Sequence, residues 1–263
     1  MNSASSVLPR ERIVVALREA AKNGQPALIA FLTAGFPSRE QFRAHLSAIA
    51  SEADVVEIGV PFSDPMADGV TIQRASEQAL RAGVTLEWIL EELAAMRLET
   101  PLLLMSYFNP LLSYGLARLV AEAAQVGVCG FIVPDLPFDE SEEFRALTVL
   151  QGLALVQMVT PVTAPERLIK LAGASQGFVY AVTMTGTTGN TAAAPKDIAD
   201  YLERVRAAAR VPVCAGFGIR SREQIEALRG LVDGVIVGSA LVEVLERGES
   251  PQAWLAALRP ARR

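Results

Sequence analysis

Eight short apolar runs, each followed by an amphipathic stretch, predict an α/β chain folded as a (β/α)8 barrel of the TIM type, with an additional N-terminal helix. Three observations carry this expectation. The runs are too short for stable isolated helices and mostly lack apolar–polar alternation, which is the pattern of parallel strands buried on both faces. The repeat fills nearly the whole chain of 263 residues, and such a barrel needs about 250. No Pro-, Gly- or Ser-rich linker and no charge run divides the chain, so residues 1–263 read as a single domain.

The elements follow in order. Arg10, Glu11 and Arg12 open a short amphipathic segment that supplies the extra helix. The first run is 27–33 (ALIAFLT), and Ser38 with Gln41 has capping-box spacing for the helix after it. Next come 54–60 (DVVEIGV), 101–106 (PLLLMS), 129–134 (CGFIVP) and 154–160 (ALVQMVT). Ala164-Pro165-Glu166 then places a proline and an acid at a helix start. The last three runs are 177–183 (GFVYAVT), 211–216 (VPVCAG) and 234–239 (GVIVGS). A doubly wound open sheet is the alternative, but its first strand usually leads into a Gly-rich fingerprint. Here Thr33-Ala34-Gly35-Phe36-Pro37 holds one glycine. The longest intervals follow the second and sixth runs, and extra chain there belongs at the C-terminal mouth of a barrel, where lids sit.

Within DVVEIGV, alternation puts Val55, Glu57 and Gly59 on one face and Val56 and Ile58 on the other. Both faces of a barrel strand are buried, so Glu57 is a carboxylate among apolar neighbours. Desolvation favours its neutral form and lifts its pKa toward working pH, as a general acid/base requires. A structural glutamate paired with an arginine elsewhere is the plainer alternative. The loop that follows, Pro61-Phe62-Ser63-Asp64-Pro65-Met66-Ala67-Asp68-Gly69, adds two more carboxylates. Ser-Asp-Pro and Asp-Gly are ordinary turn dipeptides, yet beside Glu57 they allow a carboxylate pair to flank a substrate. Glycines cluster after the last three strands: Gly186 and Gly189, Gly216 and Gly218, then Gly238 before Ser239. Loops after strands seven and eight of a barrel bind phosphate through backbone N–H groups, so a phosphorylated substrate is expected.

Composition narrows the chemistry. A net charge of -5 argues against a nucleic-acid partner, which needs a basic face. No apolar run reaches the roughly 18 residues of a membrane span. The charged N-terminal region does not read as a secretory signal, so the expected compartment is the cytoplasm. Cys129 and Cys214 sit in apolar segments and read as buried free thiols. The single histidine, His45, cannot build a site of several imidazoles, so no metal is expected. Lys22, Lys170 and Lys196 all fall outside the runs, which argues against a Schiff-base lysine at a strand end. What remains is cofactor-free acid–base catalysis by carboxylates.

Residues 55–80, VVEIGVPFSDPMADGVTIQRASEQAL, closely resemble the signature of the tryptophan synthase alpha chain family. The likeness runs on through FLTAGFPS (31–38), LLMSYFNPLLSYG (103–115), FIVPDLPFDES (131–141), GFGIRS (216–221) and DGVIVGSALV (233–242). The resemblance implies a lyase that cleaves indole-3-glycerol phosphate to indole and D-glyceraldehyde 3-phosphate, in the last steps of L-tryptophan biosynthesis. It also implies a beta chain that receives the indole within an alpha2-beta2 tetramer. By motif, Glu57 corresponds to the general acid/base and Asp68 to the carboxylate facing the indole N–H. Tyr180 corresponds to a tyrosine near Glu57, and Phe31 to an aromatic wall of the indole pocket. Gly189, Gly218, Gly238 and Ser239 match the phosphate-binding positions, and Thr188 the threonine that ties loop six to the Asp68 loop. The loops after strands two, three and four face the beta chain in the family, which makes Asp64, Asn109 and Pro137 candidate contacts.

Some positions depart from the family pattern. Val70 stands where a proline commonly follows Asp68-Gly69, and the loop-six stretch Thr183-Met184-Thr185-Gly186-Thr187-Thr188-Gly189 differs from the usual Ser-x-x-Gly-Val-Thr-Gly. Residues 190–194 are small and polar and are expected to form a mobile lid. Two other readings stay open at this point, a stand-alone indole-releasing lyase and a non-catalytic barrel that activates a partner. The retained Glu57, Asp68 and phosphate glycines argue against the second.

Overall fold

The computed structural model describes residues 7–22, 24–183, 195–216 and 218–259. Eight parallel strands close on themselves in chain order: β1 Ala27–Thr33, β2 Val55–Gly59, β3 Leu102–Met105, β4 Val128–Ile132, β5 Ala154–Val159, β6 Val179–Val182, β7 Val213–Gly216 and β8 Gly234–Val237. The ring is sealed where β1 pairs with β8, from Ala27 opposite Gly234 to Ala30 opposite Val237. Around it lie α1 Pro9–Lys22, α2 Phe42–Ala50, α3 Val70–Arg81, α4 Leu86–Ala94, α5 Phe108–Tyr114 and α6 Leu116–Gln125. The second half carries α7 Glu142–Leu150, α8 Pro165–Ala174, α9 Pro195–Ala208, α10 Arg222–Ala227, α11 Ser239–Glu246 and α12 Pro251–Leu258. The expected barrel and the extra leading helix are both present. Lys22, Lys170 and Lys196 fall on α1, α8 and α9, so none lies on a strand.

Alternation along each strand divides the core into two layers. Ile29, Val55, Leu103, Ile132, Val156, Tyr180, Cys214 and Ile236 pack together inside the ring. Their neighbours Ala30, Val56, Ile58, Leu104, Phe131 and Val235 pack outward against the helices. This is why the runs read as continuously apolar: both faces of each strand are dry. Helix α1 belongs to the inner layer. Its Ile13 and Leu17 are four residues apart and so share one helix face, and both are fully buried with the inward residues Ala27, Cys129 and Ala154 near the strand starts. The helix therefore closes the N-terminal end of the barrel, and each of these side chains contributes about 1.5–3 kcal/mol by leaving water. Strand starts are also tied by aspartates: Asp54 accepts the Leu28 N–H at 2.7 Å and Asp233 the Val213 N–H at 2.7 Å.

Three details differ from expectation. Ser38 and Gln41 do not form a capping box. The N-cap of α2 is Gln41, without a side-chain cap, and the two residues touch only through Ser38 Oγ and Gln41 Oε1 at 3.4 Å. The helix starts one turn later because residues 39–41 are spent in a turn. A true reciprocal box does occur, between Ser221 and Gln224 at the start of α10. Much of the extra chain after β2 is the additional helix α4 rather than loop, leaving residues 60–69 at the mouth. Finally, the run 234–239 is strand only as far as Val237; Gly238 is the N-cap of α11 and Ser239 its first residue.

Candidate active site

The site is built from strand β2 outward. Inward alternation aims Glu57 at the barrel axis, in register with Phe31 on β1 and Leu103 on β3. Its residue is 1% exposed. Neither carboxyl oxygen has a hydrogen-bond partner among the described residues, and no described arginine or lysine pairs with it. The plainer reading of a structural ion pair therefore finds no support there. Burial alone pushes the Glu57 pKa up to about 8, so the carboxyl is neutral near pH 7 and able to donate a proton.

Two glycines make room for the aromatic groups beside it. A Cβ on Gly59 would lie 2.5 Å from the Phe31 ring, and one on Gly216 would lie 2.5 Å from the Tyr180 hydroxyl. Only glycine lets Phe31 and Tyr180 take these positions at the strand ends. Tyr180 is buried, and its pKa is raised by desolvation first and by the nearby Glu57 and Asp68 charges next. It stays a neutral phenol.

Asp68 stands on the loop between β2 and α3, half-buried. Burial raises its pKa to about 6, against a hydrogen bond from Tyr107 that lowers it. Tyr107 fixes this loop twice, because its hydroxyl also accepts the Ala67 N–H at 2.8 Å. Its ring stacks on Phe62 with centroids 5.3 Å apart, and Gln73 Nε2 donates to the Asp68 carbonyl at 2.9 Å. Near pH 7 the result is a neutral acid at the floor and an ionised carboxylate at the rim, a pair whose environments separate two opposite roles.

A cavity of about 450 Å³ joins these groups. Phe31, Glu57, Asp68, Met105 and Tyr180 line it together with Ile72 and Ile236, and Gly218, Arg220, Gly238, Ser239 and Ala240 complete the wall. Gly218 takes the left-handed backbone at φ +76°. At the start of α11 the first intrahelical bond runs from the Leu241 N–H to the Gly238 carbonyl at 2.8 Å. The N–H groups of Ser239 and Ala240 precede it and are available to an anion.

The structure thus gathers Phe31, Glu57, Asp68, Tyr180, Gly218, Gly238 and Ser239 around one cavity. Thr188 and Gly189 lie outside the described residues, as do Gly186 and the lid expected at 190–194. Asp64, Asn109 and Pro137 do not line the cavity; all three are exposed, on the successive connections after β2, β3 and β4. Tyr107 and Arg220 were not singled out from the sequence. The only sequence signal for Tyr107 was an aromatic hydroxyl just past a strand end, inside SYFNP.

A barrel with a dry, protonated glutamate facing an apolar cavity, an ionised aspartate at the rim and an open helix N-terminus defines an enzyme of the acid–base class. The comparisons give the family. The tryptophan synthase alpha chain family matches residues 17–260. A tryptophan synthase alpha chain of Nitratidesulfovibrio vulgaris (strain DP4) is 46% identical over 244 residues, covering 92% of this chain and 95% of the relative. A crystal structure of tryptophan synthase from M. tuberculosis superposes with a TM-score of 0.85 at 35% identity, over 94% of this chain and 96% of that one. Tryptophan synthase subunit alpha from Legionella pneumophila gives 0.84 at 30% identity, over 95% and 97%. The chain belongs to the tryptophan synthase alpha chain family.

Proposed function

We propose that this chain, acting as one catalytic domain, cleaves indole-3-glycerol phosphate to indole and D-glyceraldehyde 3-phosphate. The observation that carries the reading is the unpartnered, buried Glu57 facing the cavity that Asp68 borders. Indole carbon leaves poorly until C3 is protonated, so the neutral Glu57 carboxyl delivers its proton to C3. The ring becomes an indolenine cation with its charge near the N–H, and ionised Asp68 balances that charge. The Glu57 carboxylate then takes the proton of the glycerol hydroxyl as the carbon–carbon bond breaks, giving the aldehyde and neutral indole. Phe31 packs the ring, Tyr180 bounds it near Glu57, and the Gly218 and Gly238–Ser239 backbone holds the phosphate. By motif, Gly189 completes the phosphate side and Thr188 ties loop six to the Asp68 loop. Glu57 makes both proton transfers and Asp68 balances the charge between them, so the reading calls for no cofactor and no metal.

The family works with a beta chain. In our reading the partner receives the indole in an alpha2-beta2 tetramer, with Asp64, Asn109 and Pro137 on the facing loops. Met66 on the loop of Asp68 and Val70 at the start of α3, 77% and 70% exposed, support an apolar contact there. We place the reaction in the cytoplasm, a compartment that suits the free buried thiols Cys129 and Cys214. Among the described residues no helix is long and apolar enough to cross a membrane.

The test is indole release from indole-3-glycerol phosphate by the wild type and by Glu57→Gln. The variant is expected to lose about 10²–10⁴-fold in kcat, the usual worth of a general acid/base. Equal rates would overturn the assignment. No release by either protein, even with beta chain added, would favour a non-catalytic barrel instead.

A further inference from the structure

Arg220 lines the cavity on the loop after β7, and nothing in the mechanism above uses it. Its Nη1 donates to Glu243 Oε2 at 2.6 Å and its Nη2 to Oε1 at 2.9 Å, a two-pronged pair. Glu243 stands on α11 four residues after Ser239, so both lie on one face of that helix. The guanidinium is therefore docked beside the helix start that offers its N–H groups to an anion. The backbone is fixed as well: the Arg220 N–H donates to Gln224 Oε1 at 2.6 Å, within the capping arrangement of α10. An arginine carries five N–H donors. Glu243 occupies one on each Nη, which leaves three for another partner. The Arg220 side chain is 53% exposed against 27% for Glu243, so the guanidinium of this cavity-lining residue is open to solvent.

We propose that Arg220 is a phosphate-binding residue of this site. While still paired with Glu243, it donates its spare N–H groups to the phosphate held at Gly218 and Gly238–Ser239. This rests on the reading that the cavity takes a phosphorylated substrate, and it adds to that reading a side-chain cation that prefers a phosphate dianion over a neutral group. Glu243 has a defined part in it. Alone it would repel the phosphate one helical turn away; paired with Arg220 it orients the fork and carries no net repulsion.

The experiment measures inorganic phosphate affinity by calorimetry for the wild type, Arg220→Gln and the double variant Arg220→Gln/Glu243→Gln, with indole affinity as the reference for an intact cavity. Arg220→Gln should bind phosphate at least about tenfold more weakly, the loss expected for one charge-assisted hydrogen bond, and bind indole normally. The double variant should recover part of that loss, because the stranded carboxylate is gone, and still fall short of the wild type. Steady-state kinetics of Arg220→Gln should show a raised KM with kcat largely kept. Unchanged phosphate affinity in Arg220→Gln would overturn the proposal. So would a double variant that matches the wild type, since Arg220 would then only neutralise Glu243. An equal loss of indole and phosphate binding would make the residue structural and overturn it too. Wild-type protein that turns over indole-3-glycerol phosphate alongside any of these results confines the failure to Arg220. A wild type that neither binds phosphate nor releases indole overturns both readings.

Discussion

Replacing Glu57 by glutamine should stabilise this protein in mild alkali while it destroys turnover. In the unfolded chain the carboxyl titrates near 4.5, and burial moves it to about 8 in the folded barrel. Below pH 4.5 both states hold the proton, and ionisation costs nothing. Between the two values the unfolded chain has released a proton that the folded chain keeps, so stability falls as pH rises, by about 1.4 kcal/mol per unit. Above pH 8 both states are ionised and the loss levels off. From pH 5 to pH 8 this one group removes roughly 3–4 kcal/mol, a large share of the 5–15 kcal/mol that holds a typical domain. Glutamine has the same shape and exchanges no proton, so Glu57→Gln lacks this component of the slope. Urea unfolding of both proteins at pH 5, 6, 7 and 8, followed by circular dichroism, measures it. The curves should nearly coincide at pH 5 and separate steadily above it, with the variant the more stable. Parallel profiles across the range would refute the argument, because Glu57 would then not be a desolvated acid in the folded state.

Four other outcomes follow from the same geometry. Tyr107→Phe removes the bond that holds Asp68 down, so the acidic limb of kcat/KM, expected near pH 6 in the wild type, should move upward while the basic limb near pH 8 stays; a pH–rate profile checks both limbs. Gly216→Ala drives a methyl to 2.5 Å from the Tyr180 hydroxyl and should cost about 1–3 kcal/mol by overpacking. Gly238→Ala meets nothing closer than 3.7 Å, so its Tm should hold while the KM for indole-3-glycerol phosphate rises; thermal melts and steady-state kinetics separate the two glycines. Val70→Pro restores the proline common in the family at the first position of α3, after an extended Gly69 at ψ 163°. It should raise stability by about 0.4–1 kcal/mol in urea unfolding, because proline suits that position and restricts the unfolded chain.

The barrel was legible because each strand is buried on both sides, which writes an unbroken apolar run into the chain. β1 matches its run at both ends for this reason. Boundaries were less legible where the signal was a side chain that had another option, as with Ser38, which lies too far before α2 to cap it. The insertion after β2 was visible as length, but length does not distinguish a loop from the helix α4. Glu57 could be found because a single carboxylate inside an apolar run is costly unless it has work to do. Tyr107 could not, since its importance lies in reaching back forty residues to Ala67 and Asp68. Arg220 was hidden similarly: in GFGIRS it is one more polar residue in a loop, and only the closing of the barrel sets it against Glu243 on α11, beyond β8.

Helix α1 seals one end of the ring with Ile13 and Leu17, and this bears on how the glutamate recharges. Among the described residues that end is closed, so water approaches Glu57 from the mouth, the route that the proposed substrate would occupy. While substrate is present the carboxyl has no external source or sink for protons. The hydrogen delivered to carbon must be replaced by the one taken from the substrate's own hydroxyl. On the proposed mechanism the plugged barrel thus runs each turnover on a closed proton account, and solvent hydrogen enters only in the interval between product departure and the next arrival.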